Sequence, residues 1–307
     1  MLGGMTRIRL HDSSPEFSRL AFGTWRLLKD PATSTPEAVL ALLKICLDVG
    51  ITTIDTAEIY GEYRVEELIG QALKLDPGVA GRVEIITKAG IYVPNAFHPE
   101  RKTAHYNATA ARLVKSAEKS LRWLGVETLD LFLVHRPDWL ASVDETAAGL
   151  NQLIKEGKIR SAGVSNHSVS QFRALGSRVE QPLVTNQVEF NPFHMAPIYD
   201  GVFDQCQELR VKPMAWSPMG GGRLFEDENP TAARLREAFG EMSGRYGGAT
   251  ADQLALAWIM AHPSQPMPAL GTGKAERLRA AAAADGLKIS REDWYAVWQA
   301  AHGHRIP

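Results

Sequence analysis

The chain has 307 residues, 45% of them hydrophobic and 22% charged, enough to bury a sizeable core and too apolar for a disordered protein. Its formal net charge of -1 offers no positive field for a phosphate backbone, so no nucleic-acid partner is expected. It carries neither a run of eighteen apolar residues nor a basic stretch leading into an apolar segment, so no membrane association and a cytoplasmic location are expected.

The first predicted element is a small N-terminal β-hairpin. It starts at Arg7–Arg9, turns through Asp12-Ser-Ser-Pro15 and is placed to plug the bottom of whatever follows. Eight β-type runs come next: Ser18–Gly23, Thr52–Asp55, Glu84–Lys88, Asp130–Val134, Ser161–Ser165, Val184–Gln187, Lys212–Ser217 and Met267–Gly271. Segments of helical period separate them, as in Val39, Leu42, Leu43, Cys46 and Leu47, with Gly50, Gly125 and Gly157 as stops and Ser142-Val-Asp-Glu as a start. Thr231–Tyr246 and Thr250–His262 both fall between the seventh and eighth runs, so one helix is extra, and Ala280–Ala284 reads as helix. Cys46 and Cys206 lie far apart in helical segments without CxxC spacing, which predicts buried free thiols.

Strict alternation of strand and helix requires parallel strands joined by right-handed crossovers. An open sheet binding a dinucleotide would place GxGxxG after its first strand. That position reads Phe22-Gly-Thr-Trp-Arg-Leu27 instead. The prediction is an α/β fold, a single (β/α)8 TIM barrel domain over residues 1–307, with an N-terminal β-hairpin cap and extra helices.

Function in such a barrel collects at the C-terminal ends of the strands. Asp55 ends the second strand with Tyr60 in the loop beyond it, Lys88 ends the third and His135 ends the fourth. A tyrosine titrates near about 10 and needs a positive neighbour to work as an acid near neutrality. Lys88 is placed to supply that charge, Asp55 to partner Lys88 in the barrel mouth, and His135 to orient a carbonyl oxygen. Taken singly, each of these residues is as compatible with a cap, packing or a solvated side chain. Their order on three successive strand ends is what points to chemistry.

With these residues in place, the sequence resembles the aldo-keto reductase family over nearly its whole length. The matching stretches include Leu20–Trp25, Gly50–Gly61, Thr87-Lys88, Leu121–Gly125, Asp130–Pro137, Gly163–Asn166 and Asn186-Gln187. A short loop after His135 and a short C-terminal tail make it similar to the bacterial, monomeric NADP-dependent oxidoreductases of that family. The resemblance implies hydride transfer from NADP(H) to a small-molecule carbonyl, with Tyr60 as proton donor, Lys88 and Asp55 tuning it, and His135 positioning the substrate.

The resemblance also implies a cofactor site. Gly23, Thr24, Trp25 and Asp55 line it. Ser165, Asn166 and Gln187 hold the nicotinamide amide, and Trp216 stacks on the ring at a position where most relatives have tyrosine. The glycine-rich stretch holding Ser217, Pro218, Met219, Gly220, Gly221, Arg223 and Leu224 can bring backbone N-H groups to a pyrophosphate, although a plain loop would read the same, and its position one strand before Gly271 favours the former. Gly271, Thr272, Gly273, Lys274 and Arg277 receive the adenosine 2'-phosphate, which favours NADP(H) over NAD(H). Ala280 and Ala281 depart from the Glu-Asn pair that holds adenine in many members.

Trp25 is the expected substrate wall, with Tyr92, Phe97 and Tyr106 as further candidates beside Tyr60 and His135. No metal is expected, because His302 and His304 lack a third ligand at suitable spacing. A rival reading is a cofactor-sensing or partner-regulating protein on the same fold, as the potassium-channel β subunits of the family are.

Overall fold

The computed structural model describes residues 4–96, 100, 102–226 and 228–306. A short antiparallel hairpin, β1 (Arg7–Arg9) and β2 (Glu16–Ser18), precedes a closed barrel. The barrel strands are β3 (Ala21–Gly23), β4 (Thr53–Asp55), β5 (Glu84–Ala89), β8 (Leu131–Val134), β9 (Ala162–Ser165), β10 (Asn186–Glu189), β11 (Met214–Trp216) and β12 (Met267–Leu270). All eight pair in parallel in chain order, and β12 closes on β3. The expected (β/α)8 barrel is therefore the fold.

Strand edges shift by one to three residues from the sequence reading, notably at the first and sixth barrel strands. Ser18 belongs to the hairpin and not to the first barrel strand. Its backbone N-H and hydroxyl bond Thr53 at 2.9 and 3.0 Å, which couples the hairpin to β4. The sixth strand runs Asn186–Glu189, two residues beyond the apolar stretch that marked it. The segment after β5 also contains its own short hairpin, β6 (Ile91–Tyr92) with β7 (His105–Tyr106), where the sequence reads as a plain loop.

The barrel interior follows from the two-residue period of a strand. In β5, Glu84, Ile86 and Lys88 face inward from bottom to mouth, while Ile85 and Ala89 join the outer apolar layer beneath the helices. The lower interior is sealed by Ile86, Leu131, Leu133, Met214 and Met267, with Leu10 and Phe17 of the hairpin region packed into the same cluster. Both are fully buried, each contributing on the order of 2 kcal/mol. The hairpin thus plugs the N-terminal end, as its position predicted.

The same parity continues upward. It carries Gly23, Asp55, Lys88, His135, Ser165, Gln187 and Trp216 onto the inward face of the topmost layer. Seven separated sequence positions thereby share one mouth.

Helices cover the outside. The helix Val65–Leu75 approaches Ala110–Leu124 so closely that a Cβ on Gly70 would lie 1.8 Å from the Trp123 carbonyl oxygen, so only glycine fits there. Gly125 ends its helix in the left-handed region, and Ser142 accepts a bond from the Glu145 amide at the next helix start. The two segments between β11 and β12 are Pro230–Ser243 and Ala251–Met260, the extra helix of the sequence pattern. Both cysteines are buried and free, and burial pushes each thiol up to about 12.

Candidate active site

Lys88 is the hub of the mouth and has no exposed surface. Its ammonium donates to Asp55, with Nζ 2.9 Å from Oδ1 and 3.1 Å from Oδ2, to the Thr56 carbonyl at 2.8 Å, and to the Tyr60 hydroxyl at 3.2 Å. Asp55 is itself 4% exposed and accepts a further bond from Gln187 Nε2 at 3.1 Å. A buried ammonium is tolerated only with such a counter-charge and full hydrogen bonding. The four expected residues are therefore together: the ring of His135 lies 6.0 Å from that of Tyr60 in an edge-on arrangement.

The loop joining Asp55 to Tyr60 is fixed from behind. The Glu58 amide donates to the Lys88 carbonyl at 2.9 Å. The Glu58 carboxylate takes two bonds from Arg112, at 2.9 and 2.7 Å, with both side chains buried. Glu62 and Tyr63, just beyond Tyr60, adopt positive φ, so the chain turns sharply there.

Electrostatics differ in one respect from the sequence argument. Burial raises the Tyr60 hydroxyl, and Lys88, although it opposes this as expected, does not reverse it. The net direction is upward, so Tyr60 holds its proton at neutral pH. Burial alone would lower Lys88, but Asp55 and Tyr60 outweigh it and the ammonium ends above its ordinary value. His135 is driven well below the ordinary imidazole range by burial and then by the charges of Lys88 and Arg136. It is neutral at pH 7, and its buried Nδ1 has no hydrogen-bond partner among the described residues.

On the far wall, the Ser165 hydroxyl donates to the Gln187 carbonyl at 2.9 Å and accepts from Asn166 Nδ2 at 2.6 Å. Trp216 donates its indole N-H to Asn166 Oδ1 at 3.0 Å. Asn166 and Ser217 both sit at positive φ, where the strands end abruptly. The Gln187 amide is turned to Asp55, so it links the two walls.

Beyond Trp216, Pro218, Gly220 and Leu224 are buried while Gly221 is exposed. Arg223 folds back, its Nε donating to the Gly220 carbonyl at 2.8 Å with its guanidinium 4.9 Å from the Phe193 ring. Arg26 reaches from the loop after β3 to the Gly221 carbonyl at 2.7 Å. Gly271 leaves open space, and the helix Ala275–Ala282 begins without a side-chain cap. Lys274 and Arg277 are exposed beside that first turn, Arg277 Cζ lying 5.8 Å from the Phe225 ring. Gly23 cannot carry a side chain, since a Cβ would meet the Leu270 carbonyl at 2.6 Å.

Trp25 is half exposed and packs edge-on to Tyr60 at 5.0 Å, with Lys29 Nζ 4.2 Å from its ring. Tyr92 is stacked on His105 at 4.8 Å and lies 4.3 Å from Arg112 Cζ, so its ring supports the side of the mouth by way of that pair. Tyr106 meets the exposed Trp139 edge-on. Phe97 and His98 lie outside the described residues. Reasoning from sequence passed over Arg136, Arg26 and the Glu58–Arg112 pair. Only adjacency to His135 and Trp25 could have flagged the two arginines, and nothing local could have paired Glu58 with a residue 54 positions away.

Among the described residues no group of three metal-ligating side chains is placed to hold an ion, and no helix is long and apolar enough to cross a membrane. Residues 19–301 match the model of the aldo/keto reductase family. The chain is 42% identical over 301 residues to oxidoreductase YdhF of Escherichia coli, covering 98% of this chain and 99% of that one. It is 40% identical over 303 residues to a 6-dehydroglucose reductase of Agrobacterium fabrum, covering 98% and 100%. In three dimensions it superposes on an aldo-keto reductase from Klebsiella pneumoniae in complex with NADPH, at a TM-score of 0.77 and 27% identity, covering 99% of this chain and 97% of the other.

Proposed function

Since the chain belongs to the aldo/keto reductase family and is an oxidoreductase, we propose that it reduces aldehydes or ketones to alcohols with NADP(H), as a single catalytic domain spanning all 307 residues. The observation that carries this reading is Lys88, whose Nζ lies at once 2.9 Å from Asp55 and 3.2 Å from the Tyr60 hydroxyl at the C-terminal end of the barrel strands.

The residues present fit the cofactor. Ser165 and Asn166 keep one acceptor and one donor position free after their mutual bond, the pair an amide needs. Trp216 offers a ring face, and the glycine-bordered helix start with Lys274 and Arg277 offers amides, an amine and a guanidinium to phosphate. When bound, the nicotinamide supplies the hydride.

The protein's own part is the proton. Tyr60, protonated at neutral pH, gives its hydroxyl proton to the carbonyl oxygen as charge develops there. Lys88 donates to the phenolate oxygen left behind, which lowers the cost of that transfer. Asp55 holds Lys88 charged and in place. Neutral His135 donates a ring N-H to the same carbonyl oxygen and fixes its direction, a preorganised contact that needs no rearrangement during reaction. Trp25 closes one side of the substrate space above Tyr60.

The test is Tyr60→Phe. It removes the proton but not the ring, so turnover of a carbonyl panel should fall about 10²- to 10⁴-fold. NADPH affinity, followed by quenching of tryptophan emission, should stay within about threefold. Turnover that persists undiminished would mean that Tyr60 is not the acid, and binding of NADPH without turnover of any carbonyl by the unaltered protein would favour a sensing role.

A further inference from the structure

Arg136 follows His135 directly at the end of β8 and is half-buried in the mouth. Its guanidinium carbon lies 5.9 Å from the centre of the Trp216 ring. Among the described residues it makes no hydrogen bond and no ion pair. The acidic groups nearby are committed elsewhere. Asp55 is held by Lys88 and Gln187, Asp138 accepts from the Ala108 and Leu140 amides, and Glu189 accepts from Asn191 and faces Arg223.

A half-buried guanidinium whose five donors meet no acceptor among the described residues, with only a ring face beside it, is costly unless something pairs with it in use. Its charge is felt at the reacting groups: it lowers both Tyr60 and His135. Lys88 adds to the same positive potential at His135. The mouth is therefore cationic just where a substrate carbonyl would rest, and the guanidinium fork matches a carboxylate in two-point geometry.

We propose that Arg136 selects carbonyl substrates that carry a carboxylate a few bonds from the reacting carbon, binding that carboxylate through its guanidinium while the carbonyl oxygen rests on Tyr60 and His135. The assignment rests on the reductase reading above. It makes Arg136 a specificity-determining residue whose effect depends on the charge of the substrate.

The experiment compares 4-oxobutanoate with butanal, and with D-glyceraldehyde as a neutral polyhydroxylated aldehyde, in the intact protein with NADPH. The carboxylate substrate should lead butanal in kcat/KM by about tenfold to a hundredfold, carried by KM, the range expected of a charge-assisted bond. Arg136→Gln should cut that ratio at least tenfold, and Arg136→Lys should restore part of it by keeping charge without the fork. A ratio near one in the unaltered protein, a ratio unmoved in Arg136→Gln, or an equal dependence of D-glyceraldehyde on Arg136 overturns the proposal.

A second measurement separates this idea from the reductase reading. Binding of 4-hydroxybutanoate and of butan-1-ol to the NADPH-loaded protein is followed by fluorescence, with no turnover required. Failure of every carbonyl to react sinks the reductase reading alone. Preferential binding of 4-hydroxybutanoate that is lost in Arg136→Gln still supports the anion site, and equal binding of the two alcohols overturns it.

Discussion

Replacing Asp55 with asparagine tests the buried ion pair directly. The substitution keeps the shape, leaves an oxygen for Gln187 Nε2, and removes what is, among the described residues, the only carboxylate within bonding distance of a fully buried ammonium. Breaking such a pair from one side costs about 3–5 kcal/mol. For a chain of 307 residues, an unfolding entropy of about 2.1 cal/mol/K per residue converts that cost to a fall in Tm of roughly 5–8 °C.

The pH dependence should also change sign. In the unaltered protein Lys88 lies above its ordinary value, so its contribution is complete below that value and disappears only as pH rises through the folded one, in strongly alkaline solution. In Asp55→Asn, burial is no longer opposed by the carboxylate and depresses Lys88. The unfolded state then binds more protons, and stability rises with pH up to about 10, by at most about 1.4 kcal/mol per pH unit. Thermal melts of the cofactor-free proteins at pH 6.5, 7.5, 8.5 and 9.5 should show the gap between them narrowing toward high pH. A constant or widening gap would refute the reasoning, because it would mean that the Thr56 carbonyl and the Tyr60 hydroxyl suffice to keep Lys88 charged.

Three further outcomes follow from the geometry. Trp216→Phe keeps a ring face but loses the indole bond to Asn166, so NADPH should bind about fivefold more weakly by titration of its own emission; unchanged affinity would leave that bond without a role. Glu66, buried under β5 against Thr87, is pushed up to about 7, first by burial, so its folded form keeps a proton that the unfolded chain releases near 4.5. Stability should therefore fall by about 3 kcal/mol as pH rises from 4.5 through 7, and melts of Glu66→Gln at pH 5 and 8 should lack that fall. Lys274→Ala and Arg277→Ala should each weaken NADPH about tenfold or more while sparing NADH, as measured by equilibrium titration; equal loss for both cofactors would remove the 2'-phosphate assignment.

The sequence by itself determined the periodicities, and through them the barrel. Alternating strand and helix patterns, the absence of a glycine fingerprint after the first strand, and polar residues at strand ends were enough to group Asp55, Tyr60, Lys88 and His135, because a two-residue period makes inward placement a local property. Strand edges were less legible. Ser18 and Glu189 are assigned by pairing across the sheet, and the β6–β7 hairpin forms between residues too short in run to announce themselves.

Tertiary structure alone decided the rest, since it depends on charges and surfaces brought together from distant positions. The direction of the Tyr60 shift is set by burial from several strands and could not be read from the presence of Lys88. The turning of Gln187 toward Asp55, the bond from Trp216 to Asn166 and the pairing of Glu58 with Arg112 each join residues between 50 and 132 positions apart. The same holds for Arg136. In sequence it is one more arginine after a histidine, and only the packed mouth leaves its guanidinium beside the Trp216 ring with no hydrogen bond or ion pair among the described residues.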